Sequence, residues 1–135
     1  MLRIFLIACA AKKKPTACPA DRLYDSPLFQ KSLAYARRKA ADKIYILSAK
    51  HGLLKTQAKI APYNLTLNQM PLHARRKWAN KVAIQLQNET NLQEDLFTFL
   101  AGQKYRENLE PLMAHVETPL AGMPIGKQLQ WLGSN

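Results

Sequence analysis

Cysteine is scarce in this chain: Cys9 and Cys18 are the only two in 135 residues. That excludes a disulfide framework. Neither cysteine stands at a zinc-ligand spacing from the scattered histidines His51, His73 and His115, so no metal is expected. Only five glycines are present. Their spread excludes a collagen-like repeat, a glycine-rich phosphate loop and a dinucleotide fingerprint, so no cofactor is expected. No stretch approaches the roughly 20 apolar residues of a membrane span. Leu6-Ile7-Ala8-Cys9 has the look of a lipoprotein cleavage box. However, the apolar run is short for a signal sequence and three lysines follow at once, so a buried strand and a cytoplasmic protein are expected.

Acidic residues are the other shortage. Nine Asp and Glu face twenty Lys and Arg, a net charge of +11. The imbalance is concentrated in residues 1–88, which hold 17 of the basic and 3 of the acidic side chains. A field this lopsided points to a polyanionic partner: nucleic acid, DNA first, or a nucleotide.

The length fits one domain, residues 1–135, able to bury roughly 65–70% of its unfolded surface without staples. Leu2–Cys9 is continuously apolar, as in a buried parallel strand. Residues 10–27 read as a long loop. Ser26-Pro27 caps a helix over Leu28–Ala41, with Phe29, Leu33, Ala36 and Ala40 on its inner face. Lys43–Ser48 is a second strand and Ala49–Asn68 a loop. Leu72–Gln87 is an amphipathic helix facing inward through Trp78, Val82 and Leu86, with Arg75, Arg76, Lys77 and Lys81 mostly in solvent. Asp95–Ala101 is a third strand. Tyr105–Ala114 is helical with a break near Pro111, and Ile125–Leu132 is a last helix facing inward through Ile125, Leu129 and Leu132. The alternation predicts an α/β fold, a single layered domain with a mainly parallel sheet of three to four strands flanked by helices. In such folds ligands bind beyond the carboxyl ends of the strands.

Three segments follow those ends. Cys9-Ala10-Ala11-Lys12-Lys13-Lys14 brings point charges for phosphate, and Cys9 itself is either a small buried hydrophobe or a ligand contact. Ser48-Ala49-Lys50-His51-Gly52-Leu53 is the densest run. His51 exchanges protons near neutral pH, Lys50 neutralises an anion, and Gly52 permits a sharp turn. Its spacing matches neither a Ser-x-x-Lys nor a Gly-x-Ser-x-Gly motif, which excludes a serine hydrolase of those types. Ala101-Gly102-Gln103-Lys104-Tyr105-Arg106 adds two cations at a helix start. Tyr24 and Tyr63, in the two long loops, are placed to stack on a base or else to sit half-buried with bonded hydroxyls. Asp21 and Asp25 are the only early carboxylates.

Taken together, Leu23-Tyr24-x-Ser26-Pro27-Leu28-Phe29, Ile46 to Leu53, Pro62-Tyr63-Asn64-Leu65-Thr66-Leu67, Leu100-Ala101-Gly102-x-x-Tyr105-Arg106 and Pro119-Leu120-Ala121-Gly122 resemble a family of small bacterial and phage domains of unknown function. That family is related to the YaaA-like proteins and is reminiscent of the uracil-DNA glycosylase-like fold and of domains near 7-deazaguanine modification enzymes. The resemblance implies base or nucleotide handling and imports no catalytic residue. The expectation is an enzyme acting on a nucleobase or its N-glycosidic bond. His51 is its acid or electrostatic stabiliser and Asp25 positions water. Cys9, Lys12, Lys13, Ser48, Lys50, Lys104, Tyr105 and Arg106 contact the substrate, and Tyr24 and Tyr63 flank the base. The rival readings are a non-catalytic nucleic-acid-binding domain and a small-molecule nucleotide or phosphosugar enzyme.

Overall fold

A computed structural model describes residues Met1–Asn135. In chain order the elements are β1 (Arg3–Ala8), β2 (Cys18–Pro19), α1 (Ala20–Leu23), α2 (Pro27–Arg38), β3 (Lys43–Ser48), β4 (Gly52–Lys55), β5 (Lys59–Ile60), α3 (Leu72–Glu89), β6 (Leu96–Leu100), α4 (Gln103–Arg106), β7 (His115–Glu117) and α5 (Ile125–Ser134). Single 3-10 turns lie at Leu67–Gln69 and Glu110–Leu112.

The main sheet has five strands in the order β4-β3-β1-β6-β7. The β1–β3, β1–β6 and β6–β7 pairs are parallel and β3–β4 is antiparallel. The first strand is central, and this accounts for its unbroken apolar run: Ile4, Phe5, Leu6 and Ile7 are all buried. From β1 the chain crosses to one side through α2 and returns to the other side through α3. Right-handed crossovers running in opposite directions place the two helices on opposite faces. A stack of Phe5, Tyr35 and Trp131 joins β1, α2 and α5, with ring centroids 6.1 and 5.0 Å apart. No helix is long and apolar enough to cross a membrane.

Several expectations change. The sheet has five strands rather than three or four, because β4 and β7 carry weak signals. The first is a four-residue return of a hairpin and the second a three-residue edge strand, both too short for a clear period. The stretch expected as a long loop at 10–27 contains β2 and α1. Its lysine run is tied down as well: Lys14 N–H donates to the Leu23 carbonyl at 2.9 Å and Asp25 N–H to the Lys12 carbonyl at 2.9 Å. The Ser26 cap holds, its hydroxyl accepting from Phe29 N–H at 3.3 Å. That helix ends at Arg38, earlier than expected. Ala40 takes a left-handed φ of 53° and is exposed instead of facing the core. Tyr105–Ala114 is not one helix but a four-residue turn of helix and a 3-10 turn containing Pro111. Ile125 points outward, 56% exposed. Arg75, expected in solvent, is largely covered and pairs with Glu107 at 3.0 Å.

Candidate functional site at the carboxyl edge of the sheet

The parallel register brings the ends of β1, β3 and β6 to one edge, and Cys9, Ser48 and Ala101 follow them there. Between the first two lies a chain of hydroxyls. Ser48 Oγ is 2.8 Å from the Tyr63 hydroxyl, which is 2.7 Å from the Tyr24 hydroxyl. The backbone N–H of His51 donates to Ser48 Oγ at 3.0 Å, closing the turn that starts the β3–β4 hairpin. Gly52 continues that turn at φ 74°, in the left-handed region where glycine carries no steric cost. Beneath it the Trp78 indole N–H donates to the Ser48 carbonyl at 2.8 Å. The end of β3 is thereby fixed to α3.

Burial shapes the chemistry of these groups. Burial pushes the Tyr24 hydroxyl up to about 12, and it raises Tyr63 and Tyr105 as well, with the Cys9 thiol a second cause in both. The three phenols are therefore neutral near pH 7 and act as donors and acceptors. Tyr105 Oη accepts from Leu67 N–H at 3.2 Å and lies within hydrogen-bonding distance of Cys9 Sγ, at 3.4 Å.

Cations ring this cluster. Lys13 holds its ammonium 4.2 Å from the centre of the Tyr63 ring and 5.7 Å from that of Tyr24. Burial lowers its pKa from the ordinary lysine value, partly offset by Cys9. The His51 ring meets Tyr63 edge to face at 5.6 Å. Its pKa falls below the usual 6.5, first through burial and then through the charges of Lys50 and Lys81. His51 is thus a neutral imidazole at pH 7, suited to accept a proton.

Several assignments shift. Tyr24 is fully buried and tilted against Phe29 at 4.9 Å, while Tyr63 meets it edge-on at 6.4 Å. Two rings so arranged leave no slot for a base between them. Asp25 is exposed and faces Lys12 at 3.8 Å; it forms a surface ion pair and no hydrogen bond to His51. Arg106 is occupied by the Ala101 carbonyl at 3.2 Å and by Glu110 at 3.1 Å. The helix after Gly102 has four residues, too few for a useful dipole. Lys50 and Lys104 are exposed and form no ion pair, and Lys12 is exposed beside Asp25.

Sequence reasoning missed Lys81 at the site and the grip of Trp78 on the end of β3. Both lie on α3, read only as an amphipathic helix. Their signal is the i, i+3 spacing, which puts Trp78 inward and Lys81 beside it at the site. Arg76 and Lys77, exposed near the same end of α3, extend the basic rim. In contrast, Arg37 and Arg38 lie at the far end of α2 and are engaged, Arg37 with Asp21 at 3.0 Å and Arg38 with the Leu132 carbonyl at 2.6 Å. No group of three or more His, Cys, Asp or Glu side chains is placed to hold a metal ion.

Residues 4–134 match the model of a family of unknown function, DUF6884. The chain belongs to that family. No curated protein matches its sequence.

Proposed function

We propose that this chain is a single layered α/β domain working as an enzyme on a nucleobase or its N-glycosidic bond, in nucleic acid or a nucleotide. One observation carries the reading. A neutral His51, a partly desolvated Lys13 and the Ser48–Tyr63–Tyr24 hydroxyls converge at the carboxyl edge of the parallel sheet, and exposed lysines surround them. The exposed rim suits phosphates, which lysines hold as point charges. The resemblance to YaaA-like proteins and to the uracil-DNA glycosylase-like fold supports the same class.

In hydrolysis His51 takes a proton from water, the water oxygen bonds to the sugar C1′, and the C1′–N bond breaks. The leaving base carries the electron pair away and is finally protonated by solvent. Lys13 and the exposed lysines hold the neighbouring phosphate and keep the sugar in place. Asp25, paired on the surface, has no part in this scheme.

The test is mass spectrometry of bases released by the purified protein from normal, deaminated and 7-deazaguanine-containing DNA. Release of one base, lost in His51→Ala, is expected. Binding without release, steeply weakened by salt and indifferent to His51, favours the non-catalytic nucleic-acid-binding reading. That second reading draws on the absence of an unpaired carboxylate beside His51.

A further inference from the structure

The closed Tyr24–Tyr63 pair leaves open where a base would sit. On the other side of Cys9 is a cavity of about 70 Å³, about half the ~150 Å³ of a cavity that takes up benzene, so it has room for one edge of a flat ring while the rest stays at the mouth. It lies between the ends of β1 and β6, under the first turns of α2. This is the place where the chain order reverses: β3 is added on one side of β1 and β6 on the other. Crevices at such switch points are where open α/β sheets take their ligands.

The lining sets the ligand's chemistry. Cys9, Phe29 and Leu120 give apolar walls, and Gly102 has open space above its Cα. None of the lining residues carries a charge, so neither a phosphate nor a cation is favoured inside. Two polar groups stand out. Ser32 is 1% exposed and lines the cavity. A serine hydroxyl at that place can both donate to and accept from a ligand. Gln128 of α5 lines the same space; its amide N–H is bound to the Met123 carbonyl at 2.8 Å, which leaves its amide oxygen as an acceptor. A donor–acceptor pair within apolar walls suits the edge of a flat, neutral heterocycle. The cations lie just past Cys9, starting at Lys12 and Lys13.

We infer that this crevice is the base pocket, with Ser32 and Gln128 reading the edge of a nucleobase while its phosphate lies outside on the lysines after β1. The choice of a nucleobase rests on the function proposed above; the pocket and its neutral character do not.

Amide NMR shifts of the full chain test this, with the four common nucleosides and with inorganic phosphate as probes. A nucleoside is expected to move Ser26, Ser32, Gly102 and Gln128, and phosphate to move Lys12, Lys13 and Lys50. Ser32→Ala and Gln128→Leu are each expected to weaken nucleoside binding roughly 10-fold, the loss of one hydrogen bond, with the phosphate response kept. An amide spectrum of wild-type dispersion confirms that each variant is folded. Nucleoside shifts at other residues, wild-type affinity in both folded variants, or no nucleoside binding at all overturns the inference. Base release by a protein whose Ser32 and Gln128 variants work as well as wild type does so too, and leaves the enzymatic reading standing. Nucleosides in the pocket without base release from any DNA reverse that result: the pocket stands and the glycosidic reading falls.

Discussion

The Tyr63 hydroxyl lies 2.7 Å from that of Tyr24, a contact between two long loops separated by 39 positions in sequence. Tyr63 also bonds Ser48, so its oxygen is the midpoint of a three-member chain. Tyr63→Phe leaves two hydroxyls short of a partner and is expected to destabilise the fold by about 1–3 kcal/mol. Tyr24→Phe on that background should cost clearly less than it does alone. Urea unfolding of the two single variants and the double variant measures the coupling; strict additivity rejects the chain.

The imidazole of His51 gives a pH prediction with a fixed sign. An unfolded chain takes up this proton near pH 6.5, whereas the folded protein resists it until lower pH. Acidification from 7 towards 5 therefore reduces stability, and His51→Gln should flatten that slope. In activity, the acid limb should have its inflection below 6.5. Lys50→Gln removes one repelling charge and should move the inflection upward, as a rate–pH profile would record.

Trp78 holds the Ser48 carbonyl and also meets Tyr105 edge to face at 5.8 Å. Trp78→Phe keeps most of the ring but drops the indole N–H, leaving a buried carbonyl unpaired at a cost of about 1–3 kcal/mol. Trp78→Ala should cost about 3–5 kcal/mol. Denaturant melts read both, and wild-type stability in Trp78→Phe would show that the hydrogen bond contributes nothing.

Away from the site, buried Asp95 ties the start of the chain to β6. Its carboxylate accepts from Leu2 N–H at 2.9 Å and Asn91 N–H at 2.8 Å. Burial works to raise its pKa, but these two bonds, together with the charges of the N-terminus and Lys43, outweigh it and the net direction is down. The stabilisation is present above pH 3.8 and is lost as pH falls through the lower folded value. Asp95→Ala is expected to cost about 2–4 kcal/mol at pH 7 and to weaken the acid sensitivity below pH 4. An unchanged acid melting curve would count against the assignment.

Backbone strain predicts changes of opposite sign at two positions. Ala40 ends α2 in the left-handed region, so Ala40→Gly should stabilise by about 0.5–1 kcal/mol. At Gly52 the φ of 74° is equally hostile to a side chain, and an added Cβ would run into the Gln85 side-chain oxygen. That oxygen accepts the Leu53 N–H at 2.9 Å. Gly52→Ala should therefore destabilise by about 1–3 kcal/mol. Thermal shifts in the same direction for both would refute the argument.

Much of this architecture was legible because burial writes itself into residue type. The all-apolar Ile4–Ile7 announces a central strand, Ser26-Pro27 a helix start, and the Trp78–Val82–Leu86 stripe a packed helix. The meeting of Cys9, Ser48 and Tyr105 was legible as well, since parallel strands carry whatever follows them to one edge. Features set by tertiary contact were not. Nothing local says that the Tyr24 hydroxyl finds Tyr63, that Asp25 turns to Lys12, or that Arg106 bonds Glu110. Strand β7 is three residues long and declares itself only by pairing with β6. Ser32 passes in sequence for an ordinary helical serine, and only the switch in strand order beside it makes its hydroxyl notable.

The link between α3 and β3 sets a length standard for the protein. At one end Trp78 grips the carbonyl of Ser48; at the other the Glu89 carbonyl accepts from the Lys43 ammonium at 2.5 Å. Eleven steps of helix span about 16.5 Å, and five steps of strand span about the same. The helix thus acts as a ruler laid against the strand, with both ends pinned. Inserting or deleting one residue between Trp78 and Glu89 would rotate one grip by about 100° and release it. Substitutions along this helix can be absorbed one at a time, but its length cannot drift without letting go of the carboxyl edge of the sheet.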